Sequence, residues 1–242
     1  MKILLYTVSD FNPSTLDCID LLVQSIGAQE YDFCILSNKN YQTKYQVFYD
    51  ESYRCSYIGG LKYNTQILPK NYDYYIYLDS DILYFDSLDK LLPHNHELSI
   101  VSEYPLLVKA SDWFHYGYSH YVEENLISNF FNSIGLNAGT FAYHQSKISY
   151  IEDIYKTFLK ALESVKKNTG RLEQSVFNYM MHKYTNFNSS SYNNLSNFTQ
   201  LHAHKFDPSK NKTLYHFCGF FGQMETKYQN MKVFYDKYLQ QK

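Results

Sequence analysis

The segment YDYYIYLDSDILYF, residues 72–85, is an apolar and aromatic run that is interrupted at its centre by Asp79 and Asp81. The run predicts a buried strand, and because side chains alternate faces along a strand, both carboxylates are expected on one side. Two adjacent carboxylates repel each other, so they require a cation, hydrogen-bond donors or exposure at a strand end. Mg²⁺ or Mn²⁺ meets this requirement and keeps positions for phosphate oxygens. The alternative is a surface turn in which Asp79 is a cap, since D-x-D triplets also arise by chance.

Strand and helix patterns alternate through the first hundred residues. A helix is predicted over 14–27, capped by Ser14 and ended by Gly27, and a shorter one over 59–69. Besides the central run, we predict strands over 2–8, 31–37 and 98–104. This alternation indicates an α/β sandwich around a mainly parallel sheet. Such sheets bind ligands at the carboxyl ends of their strands, where the two acids are expected.

The second half of the chain begins with an irregular stretch over 109–132, rich in aromatic residues and containing histidines, which we expect to be a loop region near a site. A strand over 134–144 follows, with an interruption at Gly139. The helical pattern that starts at Ser146 is predicted to end at Gly170. The remaining predictions are a helix over 171–184, a surface loop over 189–197, a strand near 213–217 and a last helix from about Glu225.

Charge and composition exclude several classes of partner. The net charge is −2 and the basic residues are scattered, so no footprint for nucleic acid or an anionic membrane is present. The opening MKILLYTVSD is too brief for a signal peptide, and no run reaches the roughly 18 apolar residues of a transmembrane segment. A cytoplasmic location is therefore expected. The cysteines are widely spaced and predict reduced thiols at Cys18, Cys34, Cys55 and Cys218.

Four separated motifs, YLDSDILYF, LNAGTFAYH, LEQSVFN and HFCG, occur in this order over most of the chain. With them the sequence resembles the GT-A glycosyltransferases, and most closely family 8, which includes glycogenin and bacterial lipopolysaccharide galactosyltransferases. The resemblance implies a GT-A fold, a Rossmann-like αβα sandwich, in one domain over 1–242. Residues 1–104 would form the nucleotide-binding half, and 105–242 the half that binds the sugar and the acceptor.

The resemblance also implies a metal site. Asp79, Asp81 and His216 would bind Mn²⁺, or Mg²⁺, which bridges the phosphates of a UDP-sugar. Ser80 lies between the acids and Gly219 closes the late motif. For His216 the alternative is a histidine with satisfied hydrogen bonds at a strand end.

Further donor-binding residues follow from the same resemblance. Tyr6, Thr7 and Val8 occupy the place where such enzymes hold the nucleobase, and Tyr6 would stack on it; core packing is the alternative for all three. Lys62 lies where relatives place a basic residue near the donor. The competing interpretation is a solvated surface lysine.

The sugar site and the catalytic pair are implied in the same way. Asn137, Ala138 and Gly139 match the segment that lines the donor sugar, although Gly139 alone also suits a bulge. Glu173 would hydrogen-bond the sugar, and Gln174 would lie by the anomeric carbon, opposite the leaving group. A solvated helix start is the alternative for this pair.

The irregular region offers candidates for acceptor binding. Trp113 and Tyr118, with His115 and His120 nearby, would form a platform for a sugar ring, and aromatic loop packing is the alternative. Glu103 ends a predicted strand, where a carboxylate contacts sugar in some relatives.

Two departures from the family pattern affect the donor. Gly222, followed by Gln223 and Met224, stands where the family often has a lysine that clamps the diphosphate, so Lys62, Lys227 or the metal alone must replace it. Ser175 follows the catalytic pair where an acid is common, which leaves the identity of the sugar open.

The predicted function is a metal-dependent, retaining transfer of a hexose from a UDP-sugar, UDP-glucose or UDP-galactose, to a saccharide or glycan acceptor. An inverting GT-A transferase with Glu103 or Asp112 as base is one alternative. A catalytically weak protein that binds nucleotide-sugar or glycan is another. A nucleotide phosphohydrolase fits less well, because it needs more acids for two metals.

Overall fold

The computed structural model describes residues 1–55, 57–102, 135–164, 170–184, 187–188, 196–198, 213–217 and 224–240. Its strands are β1 (Ile3–Val8), β2 (Asp32–Ser37), β3 (Gln46–Tyr49), β4 (Tyr74–Leu78), β5 (Ile82–Tyr84), β6 (Leu98–Ser102), β7 (Leu136–His144), β8 (Phe187–Asn188), β9 (Ser196–Phe198) and β10 (Leu214–His216). Its α-helices are α1 (Pro13–Ile26), α2 (Ile148–Ser164), α3 (Gly170–Lys183) and α4 (Met224–Leu239). The predicted helix over 59–69 is a pair of short 3₁₀ helices, Ile58–Tyr63 and Thr65–Ile67.

The central sheet has seven strands in the order β3-β2-β1-β4-β7-β6-β8. Strands β1 to β4 pair in parallel, and β6 pairs in parallel with β8. Strand β7 is antiparallel to both of its neighbours, β4 and β6. A smaller sheet of three strands has the order β5-β10-β9. The predicted α/β class with a mainly parallel sheet is confirmed.

Apolar clusters cover both faces of the central strands, which is why these strands read as continuous apolar runs. One face carries an aromatic cluster in which Tyr75 stacks on Tyr143 at 5.1 Å between ring centroids, and Phe177 of α3 packs against Phe141 of β7 at 5.6 Å. The other face packs against α1 through Leu22 and its neighbours. About half of the tyrosines that the structure describes, Tyr6, Tyr75 and Tyr143 among them, are therefore core residues that keep a hydroxyl for hydrogen bonding.

The run 72–85 is not one strand, which corrects the prediction. Strand β4 ends at Leu78, and a turn carries Asp79, Ser80 and Asp81 before β5 begins at Ile82 in the smaller sheet. The amide of Ile82 donates to the carbonyl of Asp79 at 3.2 Å and closes this turn. The alternative that placed Asp79 and Asp81 in a turn is therefore correct for the backbone. The two acids lie together because the turn brings them together, and not because side chains alternate along a strand.

Helix boundaries also differ from the prediction. Asn12, and not Ser14, caps α1: its side-chain oxygen accepts from the amide of Ser14 at 3.0 Å, and Pro13 opens the helix. Gly170 begins α3 instead of ending the helix before it. Strands β3 and β8 were not predicted, and β9 overlaps the predicted loop 189–197. The irregular region over 109–132 lies outside the described residues.

Strand β7 is continuous through Gly139, so the predicted interruption takes another form. The register with β6 shifts between Ile100, whose partner is Phe141, and Val101, whose partner is Asn137. The intervening β7 residues, Ala138 to Thr140, thus belong to an irregularity in the pairing at the edge where β4 ends.

Among the residues that the structure describes, every helix is too short or too polar to span a bilayer. Cys18, Cys34 and Cys55 are thiols, as predicted, and Cys218 lies outside the described residues.

The cap assignment is testable by substitution. Asn12→Ala removes the oxygen that accepts from the amide of Ser14, so we expect the free energy of unfolding to fall by about 1 kcal/mol. Ser14→Ala is the matched control and should change it by less than about 0.5 kcal/mol. Urea unfolding followed by circular dichroism measures both. A larger loss in the Ser14 variant would show that the cap is wrongly assigned.

Candidate metal and donor site

The predicted metal ligands come from two sheets that meet at one edge. The turn after β4 carries Asp79 and Asp81, and His216 ends β10 in register with Ile82 of β5. The amide of Phe217 donates to the carbonyl of Asp81 at 2.9 Å, which ties the end of β10 to the turn. Strand β5 follows the turn directly and pairs antiparallel with β10. This pairing places the imidazole of His216 beside the two acids.

Asp79, Asp81 and His216 each offer a ligand atom within 4.8 Å of the others. The Nε2 atom of His216 lies 3.2 Å from Oδ1 of Asp81 and 3.6 Å from Oδ2 of Asp79. Asp81 and His216 are buried, whereas Asp79 is half-buried and leaves one side of the group accessible. Two carboxylates and an imidazole are a suitable donor set for Mn²⁺ or Mg²⁺ that keeps open positions for phosphate. The residues present therefore fit the implied metal.

Neighbouring cations keep the carboxylate of Asp81 ionised. Burial raises the pKa of Asp81, but Lys227 and His216 lower it more strongly, and the net value lies well below the usual range. Burial lowers the pKa of His216, and Asp81 and Asp79 raise it above its ordinary value. The site thus holds strong negative charge that is balanced from within the protein.

Close packing around the metal group leaves no room for a side chain at Gly139. A Cβ atom added to it would lie 2.5 Å from Oδ2 of Asp79, 2.5 Å from Cε1 of His216 and 2.8 Å from Oδ1 of Asn137. Its carbonyl accepts from the amide of Asp79 at 2.8 Å, and its amide donates to Oδ1 of Asn137 at 2.7 Å. A side chain here would push the acids and the imidazole apart. That Asn137, Ala138 and Gly139 line a sugar stays a prediction.

Lys62 is buried beneath the site, so the interpretation as a solvated surface lysine is wrong. Its Nζ donates to the carbonyl of Ala138 at 2.8 Å and lies 3.0 Å from Oε1 of Glu173 and 3.8 Å from Oδ1 of Asp79. Burial lowers the pKa of Lys62, but Asp79 and Glu173 raise it above its ordinary value. The lysine is therefore a permanent cation between the metal group and α3.

Glu173 is also buried, at 2% exposure, so the interpretation as a solvated helix start does not hold for it. Its Oε1 accepts from Lys62 and from the hydroxyl of Tyr63, and its Oε2 accepts from the hydroxyl of Tyr57 at 3.4 Å. Burial raises the pKa of Glu173, while Lys62 and Tyr63 oppose this shift. The carboxylate depends on Lys62 for its charge.

Gln174 binds the backbone of β7 with both ends of its amide. Its Oε1 accepts from the amide of Ala138 at 3.1 Å, and its Nε2 donates to the carbonyl of Leu136. One turn later, Asn178 donates to that carbonyl at 2.8 Å and accepts from the amide of Leu136 at 2.7 Å. The two side chains therefore fix the start of β7 onto α3. Participation of Gln174 in catalysis stays a prediction.

The residues assigned to the nucleobase lie in the core. Tyr6 is completely buried, and its hydroxyl donates to the carbonyl of Lys62 at 3.0 Å. Thr7 and Val8 are buried as well. Core packing thus describes all three side chains in this structure, and their contact with a base stays a prediction.

The remaining predicted site residues divide into described and undescribed ones. Ser80 is described and is half-buried in the turn between the two acids. The residues not described are Glu103, Asp112, Trp113, His115, Tyr118, His120, Gly219 and Gly222.

Sequence reasoning missed the hydroxyl groups of the site. Tyr77 donates to Oδ1 of Asp79, and Tyr57 and Tyr63 contact Glu173. In a chain with 27 tyrosines these positions carry no distinguishing signal. Lys227 was one of several candidates, and it hydrogen-bonds Oδ2 of Asp81.

The role of Tyr77 in holding a metal ligand is testable. Tyr77→Phe removes the donor to Asp79, and loss of such a supporting hydrogen bond is expected to weaken Mn²⁺ binding by about tenfold. Tyr75→Phe is the matched control, since the Tyr75 hydroxyl on the same strand donates to the carbonyl of Pro69 instead. Isothermal titration with Mn²⁺ measures both affinities. Equal affinities in the two variants would contradict the assigned role.

The buried lysine provides a second test. Lys62→Met leaves Glu173 without its cation, so we expect a loss of about 3–5 kcal/mol in the free energy of unfolding. The double variant Lys62→Met/Glu173→Gln should recover part of it, because the buried charge is removed as well. Lys156→Met, at an exposed pair with Asp153, is the control and should change little. Denaturant unfolding decides, and an equal effect at both lysines would refute the buried network.

Neither a protein-family model nor a curated protein matches the chain, whereas solved structures do. The glycosyltransferase GlyE of Streptococcus pneumoniae TIGR4, in its apo form, has a TM-score of 0.57 and 12% identity over 100% of this chain and 64% of that one. A glycosyltransferase involved in the glycosylation of the major capsid of PBCV-1 has a TM-score of 0.56 and 10% identity, covering 96% of this chain and 100% of that one. The galactosyltransferase LgtC, in complex with donor and acceptor sugar analogs, has a TM-score of 0.58 and 12% identity over 98% and 96%.

These likenesses concern the backbone, since the identities are low, and the chain spans only 64% of the length of GlyE. The fold expected from the four sequence motifs is therefore confirmed, and the chain has the GT-A fold of these glycosyltransferases.

Proposed function

We propose that the protein is a metal-dependent glycosyltransferase that moves a hexose from a nucleotide-sugar to a saccharide or glycan acceptor. The observation that carries this proposal is the convergence of Asp79, Asp81 and His216 within 4.8 Å, with Gly139 packed against them. A group of this kind at the carboxyl end of a parallel sheet suits a ligand that carries phosphates. The sugar-lining role of Asn137 and Ala138 belongs to the same proposal.

The implied cation would supply charge stabilisation. Mn²⁺ or Mg²⁺ held by Asp79, Asp81 and His216 would neutralise the negative charge that grows on a departing nucleoside diphosphate. The protein's own contribution is to orient Asp79, through the hydroxyl of Tyr77, and to keep the carboxylate of Asp81 charged, through the ammonium of Lys227. Lys62 adds a fixed positive charge 3.8 Å from Asp79.

The donor and acceptor classes are inferred by similarity. LgtC was solved with donor and acceptor sugar analogs, and its length is almost fully matched by this chain. A UDP-sugar donor, UDP-glucose or UDP-galactose, is the finer proposal that follows from the sequence motifs. The same motifs suggest a nucleotide-binding half over 1–104 and an acceptor half over 105–242.

The proposed reaction proceeds with retention at the anomeric carbon. The bond between the anomeric carbon and the phosphate oxygen breaks, and its electron pair stays on the phosphate. The acceptor hydroxyl forms the new bond from the same face, and its proton passes to the departing phosphate oxygen. In this scheme Glu173 and Gln174 hold the sugar-facing segment of β7 in place, through Lys62 and through the amide of Ala138.

Metal dependence of transfer is the first test. Wild-type protein with Mn²⁺ and UDP-glucose or UDP-galactose is expected to release UDP slowly, because water takes the place of the acceptor hydroxyl and the hexose leaves as free sugar. A chelator should abolish this release. Asp81→Asn should lower the rate by at least about a hundredfold, because charge stabilisation of the departing group is lost. Asp89→Asn, an exposed acid in the same half of the chain, is the matched control. Full activity of Asp81→Asn in Mn²⁺ would refute the metal assignment.

The stereochemical course is a separate test. Proton NMR of the first product reports its anomeric configuration before it equilibrates, and we expect the configuration of the donor. An inverted product would overturn retention and would require a carboxylate base near the acceptor. Binding of UDP and Mn²⁺ without any release of UDP from either donor would identify a binding protein in place of a transferase.

A further inference from the structure

Lys227 lies on the buried face of α4 and not on its solvent face. It precedes Met231 by four residues and Phe234 by seven, which places all three side chains on one side of the helix. Met231 and Phe234 are buried in a cluster with Cys18 and Leu21 of α1, Tyr215 of β10 and Phe217, which follows β10. The packing of α4 therefore directs Lys227 toward the metal group.

The ammonium of Lys227 contacts Oδ2 of Asp81. The other oxygen of this carboxylate, Oδ1, lies 3.2 Å from Nε2 of His216. Lys227 and the imidazole therefore do not compete for one oxygen. The lysine contacts a metal-ligating acid and leaves Oδ1 to the group of Asp79, Asp81 and His216.

The charges around the site leave room for an anion once a divalent cation is bound. Three carboxylates, those of Asp79, Asp81 and Glu173, face two ammonium groups, those of Lys62 and Lys227. A histidine that binds a metal is neutral, so these five groups and a divalent ion would together carry one positive charge, counted over the described residues alone. A diphosphate is the kind of ligand that such a balance attracts.

The two lysines differ in their access to a ligand. The side chain of Lys62 is 3% exposed and is held by the carbonyl of Ala138 and by Glu173. The side chain of Lys227 is 15% exposed and contacts the metal group directly. An ammonium at the end of a flexible stem can shift from a carboxylate to a nearby phosphate with little change in the backbone. Lys227 is therefore better placed than Lys62 to contact a phosphate of a bound ligand.

We propose that Lys227 binds the diphosphate of the nucleotide donor, reaching it from its place on Asp81. Charge-assisted hydrogen bonds from an ammonium suit phosphate oxygens. This inference rests on the proposed function, since it names a residue that binds the donor of that reaction.

Binding of UDP and of uridine separates the phosphate contact from the rest of the site. In Lys227→Met, UDP affinity in Mn²⁺ is expected to fall by about tenfold or more, because a charged hydrogen bond is lost. Uridine affinity should not change, since uridine carries no phosphate. Lys232→Met, at an exposed pair with Asp236 on the same helix, is the matched control and should bind UDP as the wild type does. Isothermal titration measures these affinities.

A second variant and a second ligand make the test decisive. Lys227→Arg keeps the charge and should retain most of the UDP affinity, and Mn²⁺ alone should bind Lys227→Met at least as tightly as the wild type. Unchanged UDP affinity in Lys227→Met overturns the inference, and so does a loss that Mn²⁺ alone or uridine shares in full. A wild-type protein that fails to bind UDP overturns the proposed function and this inference with it. Wild-type binding that Lys227→Met retains overturns the inference only.

Discussion

The buried ion pair between Lys62 and Glu173 is the interaction on which the rest of the site depends. Its partners come from the 3₁₀ helix Ile58–Tyr63 and from α3, and Lys62 also donates to the carbonyl of Ala138 in β7. One side chain thus connects three elements that are distant in sequence. A buried pair of this kind contributes little net stability by itself, but removal of either partner leaves a charge that the interior cannot solvate. The network therefore fixes the positions of its elements more than it adds to their stability.

The same network connects the two parts of the proposed site. Lys62 lies 3.8 Å from Asp79 on the metal side and 3.0 Å from Glu173 on the side of α3. Gln174, the next residue, holds the amide of Ala138, and the adjacent Gly139 packs against the acids. A movement of α3 would therefore be felt at the metal ligands through only two or three contacts. The contacts thus position the metal ligands relative to α3, and fixed charges of this kind suit stabilisation of developing charge.

Much of the fold follows from the sequence, because the central strands are buried on both faces and read as apolar runs. Strands β1, β2 and β7 were predicted on this basis, whereas β3 was missed because its residues are half-buried or exposed at the edge of the sheet. That Asp79 and Asp81 lie together was predicted for the wrong local reason, since a turn and not a strand carries them. The addition of His216 came from a family motif. No pattern in the neighbourhood of Lys62 shows that it is buried, because its partners lie 76 and 111 residues further along the chain, at Ala138 and Glu173.

The contacts of Glu173 and Gln174 bear on how a retaining transfer would proceed. Attack by Gln174 on the anomeric carbon would require its Oε1 to leave the amide of Ala138, and an amide N–H left without a partner costs about 1–3 kcal/mol. Glu173 would have to leave Lys62 and the hydroxyl of Tyr63, which leaves a buried ammonium without its nearest anion. Either side chain would therefore have to break buried contacts in order to act as a nucleophile, whereas it keeps them when it supports β7. The departing phosphate carries negative charge and a basic oxygen that can accept the proton of the acceptor hydroxyl. A same-face reaction guided by that phosphate therefore requires no nucleophile from the protein and no change in the contacts described above.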